Sequence, residues 1–233
     1  IMFTSFMPSV LSALDAAAVL VLLVLWIGIG WWVEHSSVKR PSTSSIMADY
    51  RRQWMTQMTR RDVRIFDAQT IGSLRQSTAF FASTCVIAIG GALALIGNAE
   101  QVAGVAEDLT EENIPAIVWE LKLLVIVGFL TNAFLKFVWS NRLFGYCSVM
   151  MGATPNGSSD PTSVSFARKA AELNIAAARG FNRGLRAVYF GLATVAWLAG
   201  PEFLIAAAIV TFLVIWRREF ASQSRQVLLE TDG

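Results

Sequence analysis

Long apolar runs dominate the pattern of hydrophobic and polar positions along the chain. Three of them, 14–33, 78–96 and 117–138, are long enough to cross a bilayer as helices, which takes about 20 residues. A membrane span must satisfy its own backbone hydrogen bonds, so we interpret these runs as helices. Tryptophans near their ends, among them Trp31 and Trp139, favour the same boundaries, because indole rings prefer the headgroup region.

A fourth apolar region, 185–216, is too long for one span. Gly200 and Pro201 interrupt it, and this pair ends a helix and turns the chain. We therefore predict a hairpin of two spans, 185–199 and 202–216. The alternative is a single kinked span that leaves the C-terminus on the opposite side of the membrane.

The distribution of positive charge decides between these alternatives. All but two of the 19 Lys and Arg residues lie in, or at the edge of, 34–77, 139–184 and 217–233, while 1–13 and 98–116 contain none. By the positive-inside rule the three basic segments are cytoplasmic and the N-terminus is outside, which requires the hairpin. The outer segment between the second and third spans is acidic instead, with Glu107, Asp108, Glu111 and Glu112.

Composition agrees with this topology, since 55% of the residues are hydrophobic and only 15% are charged. The predicted fold class is all-α: a polytopic transmembrane helix bundle of about five spans, forming a single membrane domain over 1–233. Interfacial helices are expected in its cytoplasmic segments.

One His and two Cys limit the chemistry of the chain. A disulfide framework, a zinc site and a haem held by two imidazoles all need more of these residues. No phosphate-binding loop, dinucleotide fingerprint or zinc-protease motif is present, and one His leaves little for acid-base catalysis. We therefore predict no catalytic residue, no metal and no cofactor. The net charge of +2 does not indicate a nucleic-acid partner.

The first cytoplasmic segment becomes basic and potentially helical over 46–77. Apolar residues such as Met47, Trp54 and Phe66 recur there at mixed helical spacings, which predicts an interfacial amphipathic helix. Its arginines are candidates for binding anionic lipid head groups or a partner: Arg51, Arg52, Arg60, Arg61 and Arg64. The alternative is general attraction of the helix to the negative bilayer surface.

A second cytoplasmic helix is predicted from about residue 162 or 163 into the fourth span. Its apolar strip, which packs on the protein or the membrane, consists of Ala170, Leu173, Ala177 and Phe181. A candidate polar cluster comes just before the apolar run: Arg179, Asn182, Arg183 and Arg186. For these arginines the alternative interpretation is snorkelling at the inner boundary.

Polar and small residues also occur inside the predicted spans. Gly128, Thr131, Asn132 and Lys136 share one broad face of the third span. Such a face lines a polar path or supplies contacts for helix packing, and we favour packing. In the second span the small residues for close helix approach are Ala88, Gly90, Gly91, Ala92 and Ala94.

Two stretches, 135–155 (LKFVWSNRLFGYCSVMMGATP) and 178–199 (ARGFNRGLRAVYFGLATVAWLA), resemble the signature stretches of a bacterial membrane-protein family known as domain of unknown function 599. The resemblance covers nearly the whole chain. It implies a multi-span inner-membrane protein and brings no established activity or cofactor. The positions it marks are Arg142, Tyr146, Gly152, Pro155, Arg179, Phe181, Asn182, Gly184, Leu185 and Arg186, of which Arg142 and Tyr146 join the candidate cytoplasmic cluster.

Two functions are expected from these observations. The first is a non-catalytic accessory or scaffolding component of a membrane protein complex in the bacterial cytoplasmic membrane, in contact with anionic lipids and with other membrane proteins or further copies of itself. The second is an oligomeric channel or transporter for a small solute or ion, with Asn132, Lys136 and the inner cluster along its path.

Overall fold

A computed structural model describes residues 11–98, 100, 115–156 and 161–230 of the chain. Every regular element within these ranges is helical, as predicted. The α-helices are α1 (Ala13–Glu34), α2 (Thr43–Met58), α3 (Ile65–Ile96), α4 (Ala116–Gly152), α5 (Pro161–Val195), α6 (Pro201–Phe220) and α7 (Gln223–Leu229), and a 3-10 turn (Ala196–Ala199) follows α5. The acidic residues predicted in the outer segment, from Glu107 to Glu112, lie outside the described residues.

The beginning of α1 is fixed by a capping box. Ser12 accepts a hydrogen bond from the backbone N–H of Asp15, and the Asp15 carboxylate accepts one from the backbone N–H of Ser12, so two amides at the helix start are satisfied. The buried residues of α1 recur at intervals of four and seven, which gives one apolar stripe: Ala18, Leu22, Ile29 and Val33. This stripe packs mainly against α6.

The centre of the fold is α4, which packs most extensively against α5 and then against α3. Its buried residues recur at steps of three and four along almost its whole length: Lys122, Ile126, Phe129, Ala133, Phe137, Ser140, Phe144, Cys147 and Met151. Both α3 and α4 extend well beyond the apolar runs 78–96 and 117–138. The sequence placed 139–152 in a cytoplasmic segment, and the structure shows that this part continues α4 without a break.

The first cytoplasmic segment differs from the single amphipathic helix predicted over 46–77. It forms α2 and the first turns of α3, separated by a break at 59–64. The buried residues of α2 pack against α5, so its apolar face is covered by protein. Phe66 and Ile65, which the sequence assigned to the apolar face, are exposed.

The chain turns sharply between α5 and α6. Gly200 has φ 135°, a conformation that favours glycine, and Pro201 occupies the first turn of α6, where a missing N–H costs nothing. The two helices then pack against each other, and the Arg218 guanidinium donates a hydrogen bond to the Tyr189 hydroxyl at 2.9 Å. A helix break is therefore present at Gly200 and Pro201, whereas the hairpin of two membrane spans stays a prediction.

Candidate functional site

A cavity of about 600 Å³ lies at the end of the bundle where α1 stops and α2 begins. It is enclosed by α2, by the middle parts of α3, α4 and α5, and by the end of α6. Ser42 helps to fix this arrangement, because its buried hydroxyl donates to the backbone carbonyl of Val33 at 2.9 Å and joins the start of α2 to the end of α1. We call this space the inner cavity.

One wall of the inner cavity is apolar and aromatic. Phe81 on α3 and Phe181 on α5 meet edge to face with ring centroids 5.6 Å apart, and Leu74, Phe144 and Ile175 extend the same wall. Aromatic pairs in this geometry are mutually stabilising beyond the area they bury. This wall offers contact to hydrocarbon or to a ring.

The opposite wall is polar and is built around two carboxylates. Glu34, the last residue of α1, accepts hydrogen bonds from Arg183 Nε at 2.8 Å and from Arg186 Nη2 at 2.6 Å, and Arg186 is almost fully buried. The hydrogen bond with Glu34 raises the pKa of Arg183. Both ion pairs join the end of α1 to α5, and the pair of Arg186 with Glu34 is largely removed from water.

Glu219 at the end of α6 is the second carboxylate. One of its oxygens accepts from the backbone N–H of Ser44 at 3.0 Å and the other from the Ser44 hydroxyl at 2.9 Å. The Asn182 amide donates to the same hydroxyl at 3.3 Å. This chain of hydrogen bonds ties α2, α5 and α6 together around the polar wall and gives Asn182 a positioning role.

Four arginines line the inner cavity: Arg51, Arg52, Arg179 and Arg186. Arg52 pairs with Asp49 and Glu172, each at 2.8 Å, and the bond with Glu172 raises the pKa of Arg52. Arg51 has no such carboxylate and donates instead to the side-chain oxygen of Asn174; burial lowers the pKa of Arg51.

The other candidate arginines of the first basic segment do not line the inner cavity. Arg64 donates to the backbone carbonyls of Met151, Thr154 and Pro155, at 3.1, 2.6 and 3.0 Å, and so closes the end of α4. Arg61 pairs at 2.5 Å with the buried carboxylate of Asp67, which also accepts from the Trp54 ring at 2.6 Å. Arg60 is exposed.

Sequence analysis identified Arg179, Asn182 and Arg186 at this site but missed Glu34, Ser44, Asn174 and Glu219. Their partners are more than a hundred residues away in the chain, as for Glu34 and Arg186. One signal was available, because Glu34 is the first charged residue after the first apolar run. Arg142 and Tyr146 do not line the cavity; they form an exposed pair on α4, with Arg142 Nε donating to the Tyr146 hydroxyl at 2.8 Å.

The polar face predicted on α4 points away from the core. Gly128 and Thr131 are exposed, and Asn132 and Lys136 are half-buried. The packed side of α4 carries aromatic residues, among them Phe129 and Phe137. These four residues lie on the less buried side of α4, and both interpretations of this face, a polar path and helix packing, stay predictions.

The described parts of the chain cover the apolar part of α3 poorly. Only 11% of the residues in its most apolar stretch are buried, against 39% for α4. Gly90 and Gly91 are exposed, and no atom lies within 4 Å of a Cβ built at either position. None of the helices within 11–98, 115–156 and 161–230 makes the close approach that the sequence predicted at these glycines.

A buried cation occupies the other end of the bundle, and sequence analysis missed its role. Lys122, which is 4% exposed, donates from Nζ to the backbone carbonyl of Trp197 at 2.9 Å and lies over the rings of Trp119 and Trp197. The Trp197 ring in turn donates to Asp15 at 2.7 Å. A cation at the C-terminal end of a helix interacts favourably with its carbonyl groups.

The described residues include three helices that are long and apolar enough to cross a membrane, Ala13–Glu34, Ile65–Ile96 and Ala116–Gly152, which is consistent with a helical membrane protein. The chain belongs to the family described as "Protein of unknown function, DUF599", which matches residues 17–224. No curated protein and no solved structure matches the chain. The resemblance inferred from 135–155 and 178–199 is thereby confirmed.

Proposed function

We propose that this protein is a non-catalytic accessory or scaffolding component of a membrane protein complex. The observation that carries the proposal is the uncovered apolar part of α3, with Gly90 and Gly91 at its surface. Adjacent glycines weaken a helix interior by roughly 0.5–1 kcal/mol each relative to alanine. None of the residues that the structure describes requires their small size, whereas a second transmembrane helix that packs against α3 would.

The proposal includes a five-span topology in the bacterial cytoplasmic membrane, with the N-terminus outside. Two observations support it. Ser44 follows the first apolar run, Glu219 follows the last one, and the two side chains are in contact. The basic segments after these two runs therefore lie at one end of the bundle. In addition, α6 has 20 residues, and a helix of that length spans about 30 Å.

Gentle native extraction of the tagged protein, followed by mass determination, tests the association. We expect a stoichiometric larger complex with a second protein. Gly91→Leu should dissociate it, because the added side chain enters the space that a partner helix needs. Gly28→Leu on α1 is the matched control, since that position is equally open within the chain.

A complex that survives Gly91→Leu would contradict the role of α3. Equal loss in both variants would also contradict the role of α3, because association would then not depend on this face. A pure homo-oligomer in the wild type would contradict the accessory function altogether.

An oligomeric channel or transporter is the second candidate. Asn132 favours it, because this half-buried amide makes no hydrogen bond with any residue that the structure describes, and an unpaired polar group in hydrocarbon is costly. Since the face points outward, only several copies could enclose a path. Solute flux in vesicles that is lost in Asn132→Leu and Lys136→Leu, with assembly unchanged, would support this function; unaltered flux would exclude the path.

A further inference from the structure

We infer that the inner cavity binds an amphiphile with one anionic group, such as a phosphate monoanion, which Arg51 and Arg179 hold while the apolar part lies against Phe81, Phe144 and Phe181. The inference is independent of the proposed association through α3. It rests on the charges that line the cavity, on its two unlike walls and on its position relative to the predicted membrane boundary.

Two of the lining cations, Arg51 and Arg179, form no salt bridge with a carboxylate of the described residues, although Arg179 also interacts electrostatically with Glu34. Glu34 forms ion pairs with Arg186 and with Arg183, which does not line the cavity. Asp49 forms an ion pair with Arg52. Both oxygens of the remaining carboxylate, at Glu219, accept from Ser44.

Arg51 therefore contacts only a neutral amide oxygen. Arg179 is exposed and makes no ion pair with any residue in the part of the chain that the structure describes. Two guanidinium groups beside one cavity bind a phosphate or carboxylate through charge-assisted hydrogen bonds. Burial lowers the pKa of Arg51, and a bound anion would offset the same electrostatic cost.

The cavity also crosses the predicted inner boundary of the membrane. Three helices contribute lining residues on both sides of that boundary: Val33 and Glu34 on α1, Ser77 and Phe81 on α3, and Asn182 and Arg186 on α5. Its volume of about 600 Å³ lies within the range of small-molecule sites. A ligand at this depth meets water at its charged end and hydrocarbon at the other, which is the chemistry of an amphiphile.

The test is titration of the whole delipidated protein in neutral detergent micelles, followed by native mass spectrometry and calorimetry. The probes are dioleoylphosphatidylglycerol, which carries one negative charge, dioleoylphosphatidylcholine, which has the same chains and no net charge, and inorganic phosphate. The variants are Arg179→Gln, which removes a cation without a salt bridge, and Ala48→Phe, which narrows the cavity without changing its charge. Arg60→Gln removes an equal charge from the surface and serves as the control.

We expect one phosphatidylglycerol per chain, bound more tightly than phosphatidylcholine and not displaced by inorganic phosphate. Binding should weaken about tenfold in Arg179→Gln, since a charge-assisted hydrogen bond is lost, and should disappear in Ala48→Phe. Thermal unfolding of each variant checks that the fold is retained. Arg51→Gln offers a second charge variant.

Equal weakening in Arg60→Gln and Arg179→Gln would overturn the inference, because it would reduce the effect to general surface attraction. Equal affinity for the two lipids would remove the role of the anion. Displacement by inorganic phosphate would make the ligand a free anion, and undiminished binding in Ala48→Phe would place the lipid outside the cavity. Each of these results leaves the proposed association through α3 untouched.

Discussion

Replacement of Gly184 by alanine should destabilise the protein more than the same replacement at any other helical glycine considered below. Gly184 lies where α5 comes closest to α4. A Cβ built at this position would be 2.6 Å from one ring carbon of Phe137 and 2.9 Å from two others. Ordinary contacts between carbon atoms are about 3.5–4.0 Å, so the ring or the helix must move.

The Phe137 ring has little freedom to move. It is fully buried, and its centroid is 5.4 Å from the centroids of both Phe81 and Phe181. Overpacking of a well-packed core costs about 1–3 kcal/mol, and so close a contact belongs at the upper end. Alanine regains about 1 kcal/mol through its higher helix propensity. We therefore expect a net loss of about 2 kcal/mol in the free energy of unfolding.

Other glycines supply a graded series of controls. A Cβ at Gly191 would lie 3.1 Å from Phe129, one at Gly180 would lie 3.5 Å from Ser140, and one at Gly128 would have no atom within 4 Å. Alanine should be close to neutral at Gly191, because the two effects nearly cancel. At Gly180 and Gly128 it should be neutral or stabilising, by at most about 1 kcal/mol.

Thermal unfolding in detergent micelles measures the series. A change of 1 kcal/mol shifts Tm by roughly 2–4 °C in a chain of this size, so Gly184→Ala should lower Tm by about 4–8 °C. Phe137→Leu in the Gly184→Ala background should restore part of the loss, since a smaller side chain makes room. Equal stability of Gly184→Ala and Gly128→Ala, or strictly additive effects in the double variant, would refute the reasoning.

Two buried charges give further predictions, measured by the same unfolding assay. Lys122→Met should lower the free energy of unfolding by about 1–3 kcal/mol, because it removes a buried hydrogen bond to a backbone carbonyl, whereas Lys136→Met should change it little. Asp67→Asn should cost a similar amount, since the buried carboxylate pairs with Arg61, while the exposed Asp62→Asn should stay within about 0.5 kcal/mol. Reversal of either order would contradict the assigned contacts.

The apolar helices could be predicted because hydropathy is a local property of the sequence. The first run, 14–33, differs from α1 by one residue at each end. The start of α3 and the end of α4 were not predicted, since hydropathy reports where a membrane span ends and a helix can continue into water. A signal was present in α4, where Ser140, Phe144 and Cys147 continue the spacing of three and four residues beyond the apolar run.

Spacing also left the direction of the polar face on α4 open. Steps of three and four connect Gly128, Thr131 and Asn132, and equally connect Phe129 and Ala133. Periodicity identifies which residues share a face, but only the size and shape of the neighbouring helices decides which face is packed. Here the aromatic residues of α3 and α5 interlock with Phe137, which leaves the polar residues outside.

The contacts of the arginines could not be read from the sequence for a different reason. Interfacial arginines were assigned to lipid because charge excludes them from hydrocarbon, and this assignment stays a prediction. Within the chain, however, Arg64 binds backbone carbonyls at the end of α4, and Arg51 binds an amide of α5. Carbonyl and amide groups carry no net charge, so the distribution of charged residues along the sequence does not identify them as partners.

The burial of Lys122 is explained by a helix break that lies far from it in the sequence. The sequence offered no partner for this lysine. The same sequence predicted that Gly200 and Pro201 end a helix, and a helix end presents carbonyl groups with partial negative charge. In the structure the Trp197 carbonyl, three residues before Gly200, accepts from both the Gly200 N–H and the Lys122 ammonium. The burial of this cation therefore follows from the chain reversal, and a helix break predicted inside a membrane bundle is a place to expect the partner of an otherwise unpaired lysine.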